Sequence, residues 1–154
     1  MKNKQTRELA VCGLSAVRAI LACRPGCVRR LFFLPDLLPE FRPLLRAFAG
    51  RRALYRMVPE EDLERLSGTV HHQGAVAMID QPEIPILDAA TARAWAGRGE
   101  RILVLDGLAN DHNLGAIARS AAFFGVRNLL LAGTSGPDLV TTSAFRVAEG
   151  GMEW

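Results

Sequence analysis

Between Asn113 and Phe124 the chain carries one charged side chain, Arg119, among Leu, Gly, Ala, Ile, Ser and Phe. Leu114, Ile117, Ala118 and Ala121 form one apolar stripe at helical spacing, and the remaining faces are too small or too apolar for bulk water. A helix of this kind is expected to be covered on all sides. A guanidinium inside it is costly unless a carboxylate, a phosphate or a pocket meets it. His112 stands seven residues before Arg119, two helical turns away and therefore near the same face. Asn110, Asp111 and Asn113 crowd the start of the helix, where capping residues belong. The chemistry such a group suits is anion recognition, because arginine offers a planar fork of donors to phosphate. The plainer alternative is that Arg119 pairs with Asp106, Asp111 or an acid across an interface. For His112 the plainer alternative is a capping or surface histidine.

The elements around this helix read as a β-α-β unit. Residues 101–105 and 127–132 read as buried strands, and Leu129-Leu130-Leu131 suits a parallel strand covered on both faces. The loop after a parallel strand is where open α/β sheets place ligands. A last helix is predicted over 138–148. Ahead of the unit come a turn at Gly97-Arg98-Gly99, a short helix over 88–96 and a proline-interrupted linker, Gln81-Pro82-Glu83-Ile84-Pro85.

Residues 1–80 alternate helix and strand. The helices are predicted over 6–23, 35–50 and 59–66, the strands over 28–34, 53–58 and 74–79. The pattern α-β-α-β-α-β makes a small three-layer α/β/α domain. This half holds 13 Lys and Arg against 8 Asp and Glu, while residues 81–154 hold 6 against 8. Arg29-Arg30, Arg42, Arg46, Arg51-Arg52 and Arg56 make it a plausible polyanion surface. A merely solvated basic surface accounts for the charge equally well.

Other chemistries lack their residues. Cys12, Cys23 and Cys27 form no disulfide framework, and Cys23-Arg-Pro-Gly-Cys27 has no histidine nearby or second cysteine pair to complete a zinc site. No metal is expected. There is no Gly-x-Gly-x-x-Gly after either strand and no phosphate-binding P-loop. Ser67, Ser120, Ser135 and Ser143 lack a nucleophile elbow and a plausible histidine partner. With 154 residues, 49% of them hydrophobic, no signal-peptide core and no apolar run of membrane length, the sequence reads as a soluble cytoplasmic protein of one domain or two small ones.

Leu105-Asp106-Gly107 and Asn113-Leu114-Gly115-Ala116-Ile117-Ala118-Arg119-Ser120-Ala121, continued by Phe124-Gly125-Val126, resemble the first motif of the SpoU/TrmH family of RNA ribose methyltransferases. Arg146-Val147-Ala148-Glu149-Gly150-Gly151-Met152-Glu153 resembles the segment that follows, in the form seen in the YfiF-like branch. In the first half, Gly13-Leu14-Ser15-Ala16-Val17 and His72-Gln73-Gly74 resemble the family's RNA-binding domain. Taken alone, His72-Gln73-Gly74 reads more readily as a turn before a strand.

The resemblance implies three segments: an RNA substrate-binding domain over 1–80, a linker and short helix over 81–99, and the opening part of a SPOUT-type, Rossmann-like domain, knotted when complete, over 100–154. It implies methyl transfer from S-adenosylmethionine to a ribose 2′-hydroxyl in tRNA or rRNA, by a homodimer. It places Arg119 at the ribose with Asn113 in support. RNA contacts are expected from Arg29, Arg30, His72, Gln73, Gly74 and His112. The family's donor-holding loops are expected beyond Trp154, so S-adenosylmethionine is expected with the full-length protein and not with this stretch alone. Two other classes compete: a non-catalytic module that holds structured RNA, and an interaction subunit with no RNA role.

Overall fold

The computed structural model describes residues 8–48, 54–133 and 136–153. The expected basic positions Arg51 and Arg52, the helix end at Gly50, and Ser135 lie outside the described residues, as does the side chain of Arg46. The chain divides into two compact units, Met1–Gln81 and Pro82–Met152. Both are mixed α/β.

The first unit opens with a strand, β1 (Glu8–Cys12), followed by α1 (Leu14–Cys23), β2 (Val28–Phe33), α2 (Leu38–Phe48), β3 (Leu54–Met57), α3 (Glu60–Ser67) and β4 (Ala75–Asp80). The sheet order is β1-β4-β2-β3. β4 runs antiparallel to β1 and β2, and β3 runs parallel to β2. The helix expected over 6–23 is therefore corrected: its first third is strand. Glu8 to Cys12 pair residue for residue with Asp80 to Val76. Gly13, at φ 99°, makes the bend between strand and helix that a residue with a Cβ resists.

Alternate residues of the sheet feed opposite layers. Phe33 packs on Phe41 of α2, ring centroids 5.0 Å apart. Cys12 and Val76 pack with Leu63 of α3 and Val58, and Phe32, Leu34 and Met78 close over them. Pro43 lies within α2.

The second unit contains α4 (Ala89–Gly97), β5 (Ile102–Leu105), α5 (Asp111–Phe123), β6 (Asn128–Leu131) and α6 (Thr142–Ala148). β5 and β6 pair in parallel, Ile102 against Asn128 and Leu105 against Leu131, as the Leu129-Leu130-Leu131 run suggests. Burial is one-sided, which corrects the expectation of covered strands and a helix enclosed all round. Ile102, Leu103 and Val104 are exposed, and α5 buries Leu114, Gly115, Ala118 and Ala121 while Phe123 is 83% exposed. A two-stranded sheet with helices packed on each other shields one stripe of α5, and low charge alone does not create a second covering layer.

Asp88 caps α4 by accepting the Thr91 N–H at 2.7 Å. That backbone hydrogen bond holds its carboxyl below the usual aspartate range. A depressed folded pKa gives stability that is present above the unfolded value, about 3.9, and is lost as pH falls through the folded value. Protection of the amides in the first turn of α4, taken against the intrinsic exchange rate at each pH, should therefore fall below about pH 4. In Asp88→Ala that protection should already be low at neutral pH and change little with acid.

Among the described residues no helix is long and apolar enough to cross a membrane, and no group of three or more His, Cys, Asp and Glu is placed to hold a metal ion. Cys12 is buried and Cys23 exposed, and burial pushes the Cys27 thiol up.

Candidate functional site

The N-terminus of α5 is built by Asn110. Its side-chain Oδ1 accepts the N–H groups of His112 at 2.7 Å and Asn113 at 3.3 Å, satisfying two donors that a helix start leaves free. The helix then runs without interruption to Phe123, carrying Arg119 two turns beyond His112.

Helix α6 lies against α5, and the two approach closely because Gly115 faces it. A Cβ there would stand 2.5 Å from the Ala144 carbonyl oxygen and 2.9 Å from Val147 Cβ. Three polar contacts from α6 and its two caps then line up along α5. Thr141 Oγ1 donates to Asp111 Oδ2 at 2.6 Å while accepting the Ala144 N–H. Ser143 Oγ and His112 Nε2 share a hydrogen bond of 2.7 Å. Arg119 Nη1 pairs with Glu149 Oε1 at 3.0 Å.

Two sequence expectations change here. Ser143 does have a histidine partner, brought from 31 residues away by helix packing. Arg119 pairs with neither Asp106 nor Asp111 but with Glu149, the C-cap of α6. The guanidinium is also not enclosed: its side chain is 58% exposed. It stands on the surface, tied to one half-exposed carboxylate. Asn113 is exposed too, but six residues before Arg119 it projects about 120° round the helix from it. The helix brings His112 and Arg119 to one face and sets Asn113 to the side.

The remaining expected residues lie in the first unit. Arg29 donates to both oxygens of Asp80, at 2.9 and 3.0 Å, and Arg30 pairs with Glu8 while lying over the Phe32 ring, 5.9 Å from its centroid. Each basic residue of β2 thus meets an acid of the same sheet, Asp80 on the adjacent β4 and Glu8 on β1 beyond it, so the field there is weaker than the residue count suggests.

His72 is 1% exposed. Its Nδ1 accepts the Gly74 N–H at 3.1 Å, and its Nε2 finds no partner among the described residues. Gln73 adopts φ 51° and its side-chain oxygen accepts the Leu14 N–H at 2.9 Å, capping α1 from a distance. Gly74, at φ 78°, leaves only 2.9 Å between a would-be Cβ and Leu37 Cδ1. In this conformation the tripeptide is a joint with His72 and Gly74 buried and Gln73 exposed. Gly74→Ala should destabilise the unit by about 1–3 kcal/mol in thermal or denaturant unfolding, through a left-handed backbone and overpacking together. A melting curve unchanged from wild type would show the joint to be loose.

Comparison with known proteins matches the chain to a family. Residues 10–85 match the family model described as RNA 2′-O ribose methyltransferase substrate binding, and residues 100–154 match the SpoU rRNA methylase family. The chain is 33% identical over 156 residues to the uncharacterized tRNA/rRNA methyltransferase YfiF of Escherichia coli O157:H7, covering 99% of this chain and 43% of that protein. It is 28% identical over 148 residues to the 23S rRNA (guanosine-2′-O-)-methyltransferase RlmB of Escherichia coli K12, covering 92% of this chain and 58% of that one. A crystal structure of an RNA 2′-O ribose methyltransferase superposes with TM-score 0.67 at 25% identity, over 96% of this chain and 53% of that chain. The AdoMet-bound rRNA methyltransferase of Sinorhizobium meliloti shares the fold, with TM-score 0.66 at 21% identity, over 96% and 52%. The chain spans less than half the length of YfiF and about half that of the two solved structures. The chain belongs to the SpoU family of RNA methyltransferases.

Proposed function

We propose that the full-length protein methylates a ribose 2′-hydroxyl in tRNA or rRNA, with S-adenosylmethionine as donor and Arg119 as the group that holds the RNA. The observation that carries the reading is the placement of Arg119. Beyond the first-turn Asp111 it is the one charge on α5, seated beside a glycine turn and exposed enough to reach a ligand. A guanidinium stays protonated at any working pH, its pKa lying above about 12, so it is a poor base. Its useful work is to grip a phosphate next to the target ribose and fix the hydroxyl in place, an effect of positioning and electrostatics. His112, on the same face and steadied by Ser143, is a second RNA contact in this reading. Asn113 supports the site from the adjacent face.

In the same reading residues 1–80 are the RNA substrate-binding domain, 81–99 a linker with its short helix, and 100–154 a part of the methylase domain. Arg29 and Arg30 would meet the RNA backbone by exchanging Asp80 and Glu8 for phosphate. His72, Gln73 and Gly74 would serve RNA binding by shaping the joint between α1 and β4. The working protein is a cytoplasmic homodimer in this proposal, which sedimentation equilibrium would check.

The described residues do not fit S-adenosylmethionine as a complete site. The strands beside α5 leave Ile102, Leu103 and Val104 open instead of walling a cavity. Titration of residues 1–154 with S-adenosylmethionine in a calorimeter should give no tight stoichiometric binding, and a tight isotherm would contradict that expectation.

The reaction itself is tested by incubating the full-length protein with labelled donor and bulk tRNA or rRNA, then digesting with alkali. Label retained in alkali-resistant dinucleotides supports the reading, because a 2′-O-methyl group blocks cleavage at its own phosphate. Label on bases contradicts it. RNA binding without any transfer points to a non-catalytic module.

A further inference from the structure

The candidates outside the proposed site are the exposed Phe123–Phe124 pair, the apolar edge strand β3, the cysteines near Arg24 and the acid that holds Arg119. The last carries an inference, one that rests on Arg119 being the RNA-phosphate group.

We propose that Glu149 is a tethered stand-in for RNA phosphate on Arg119, displaced when RNA arrives, so that only a ligand able to outcompete a neighbouring carboxylate engages the guanidinium. Three observations converge on it. The pair is direct, Nη1 to Oε1 at 3.0 Å, yet both side chains are about half exposed, 58% and 46%. An exposed pair of this sort is weak, while an arginine–phosphate fork is charge-assisted and bidentate, so exchange favours phosphate.

The backbone of Glu149 is the second observation. It caps α6 at φ 48°, ψ 38°, in the left-handed region that helix ends ordinarily give to glycine. A glutamate stands there, directly before Gly150 and Gly151, although the position disfavours any Cβ.

The third is the seat of the turn. A Cβ on Gly151 would lie 2.7 Å from Arg119 Cα and 3.0 Å from Arg119 N and Ala118 O. The glycine turn is therefore pressed against the α5 backbone at Arg119 itself. The carboxylate stays close to the guanidinium even when displaced, and it competes at the high effective concentration of a tethered group. The acid on α5 itself, Asp111, is taken by the Thr141 hydroxyl.

The test is a set of binding isotherms with fluorescein-labelled bulk deacylated tRNA, on the full chain. Glu149→Gln should bind about two- to fivefold tighter than wild type, the span expected from releasing an exposed ion pair. Glu149→Gly, which also relieves the left-handed glutamate, should fold at least as well and tighten binding likewise. In an Arg119→Ala background the same Glu149→Gln change should have no effect. An equal tightening in both backgrounds would reduce Glu149 to one more repelling surface charge and overturn the proposal, as would wild-type affinity in Glu149→Gln. If Arg119→Ala itself binds as wild type, it is the reading of Arg119 that fails.

Discussion

Arg119→Ala in the full-length protein should lower methyl transfer at least about 100-fold while leaving S-adenosylmethionine affinity within about twofold of wild type. The size follows from what the guanidinium is asked to do. Misplacing a reacting hydroxyl by about 1 Å costs two orders of magnitude, and losing one preorganised donor costs two to three. The side chain contributes little to the fold, since it is exposed and its partner among the described residues is Glu149, across a surface contact. Melting temperature should therefore hardly move, which separates a lost grip on RNA from a lost structure. Arg119→Lys should recover little, because an ammonium lacks the planar fork that matches phosphate. Wild-type turnover in Arg119→Ala would remove Arg119 from the site.

The second large effect is expected at Gly115, where no charge is involved. The three polar contacts between α5 and its neighbour, at Asp111, His112 and Arg119, hold only while the helices stay as close as Gly115 allows. Gly115→Ala puts a carbon 2.5 Å from a backbone oxygen, which cannot swing aside as a side-chain end could. The helices must separate, at about 1–3 kcal/mol. Ser143 and Glu149 retreat from His112 and Arg119 in the same movement. Denaturant unfolding should show the loss, and the His112 ring resonances should shift as Ser143 leaves. Gly97→Ala is the matching control: nothing lies within 4 Å of a Cβ there and its backbone is not left-handed, so stability should be unchanged or slightly higher. Equal stability of Gly115→Ala and Gly97→Ala would mean that close packing does not position the site.

Much of this was legible in the residues, and the parts that were not share a cause. The parallel pair β5–β6, the Asp88-capped helix and the layered first unit follow from periodicity and local punctuation, which operate over a few residues. β1 was hidden because Leu9, Ala10, Val11 and Cys12 are apolar without clear alternation and run into helix-forming residues. Gly13 weakens a helix on paper, and only its φ of 99° shows that it divides a strand from one. The Ser143–His112 and Arg119–Glu149 pairs join positions about 30 residues apart through one helix crossing, and nothing near either residue announces them. The nearest acids in sequence, Asp106 and Asp111, were the natural partners to expect for Arg119. Composition suggested a helix covered all round, whereas within this chain α5, with its few charges, leaves Phe123 and the C-cap Phe124 exposed.

The central claim is that the Arg119 guanidinium contacts RNA phosphate. The most direct measurement is the salt dependence of tRNA affinity for wild type and Arg119→Ala, compared side by side from about 50 to 200 mM salt. Loss of one phosphate contact predicts weaker binding at every salt concentration and a log–log slope shallower by about one. Superimposable lines for the two proteins would contradict it.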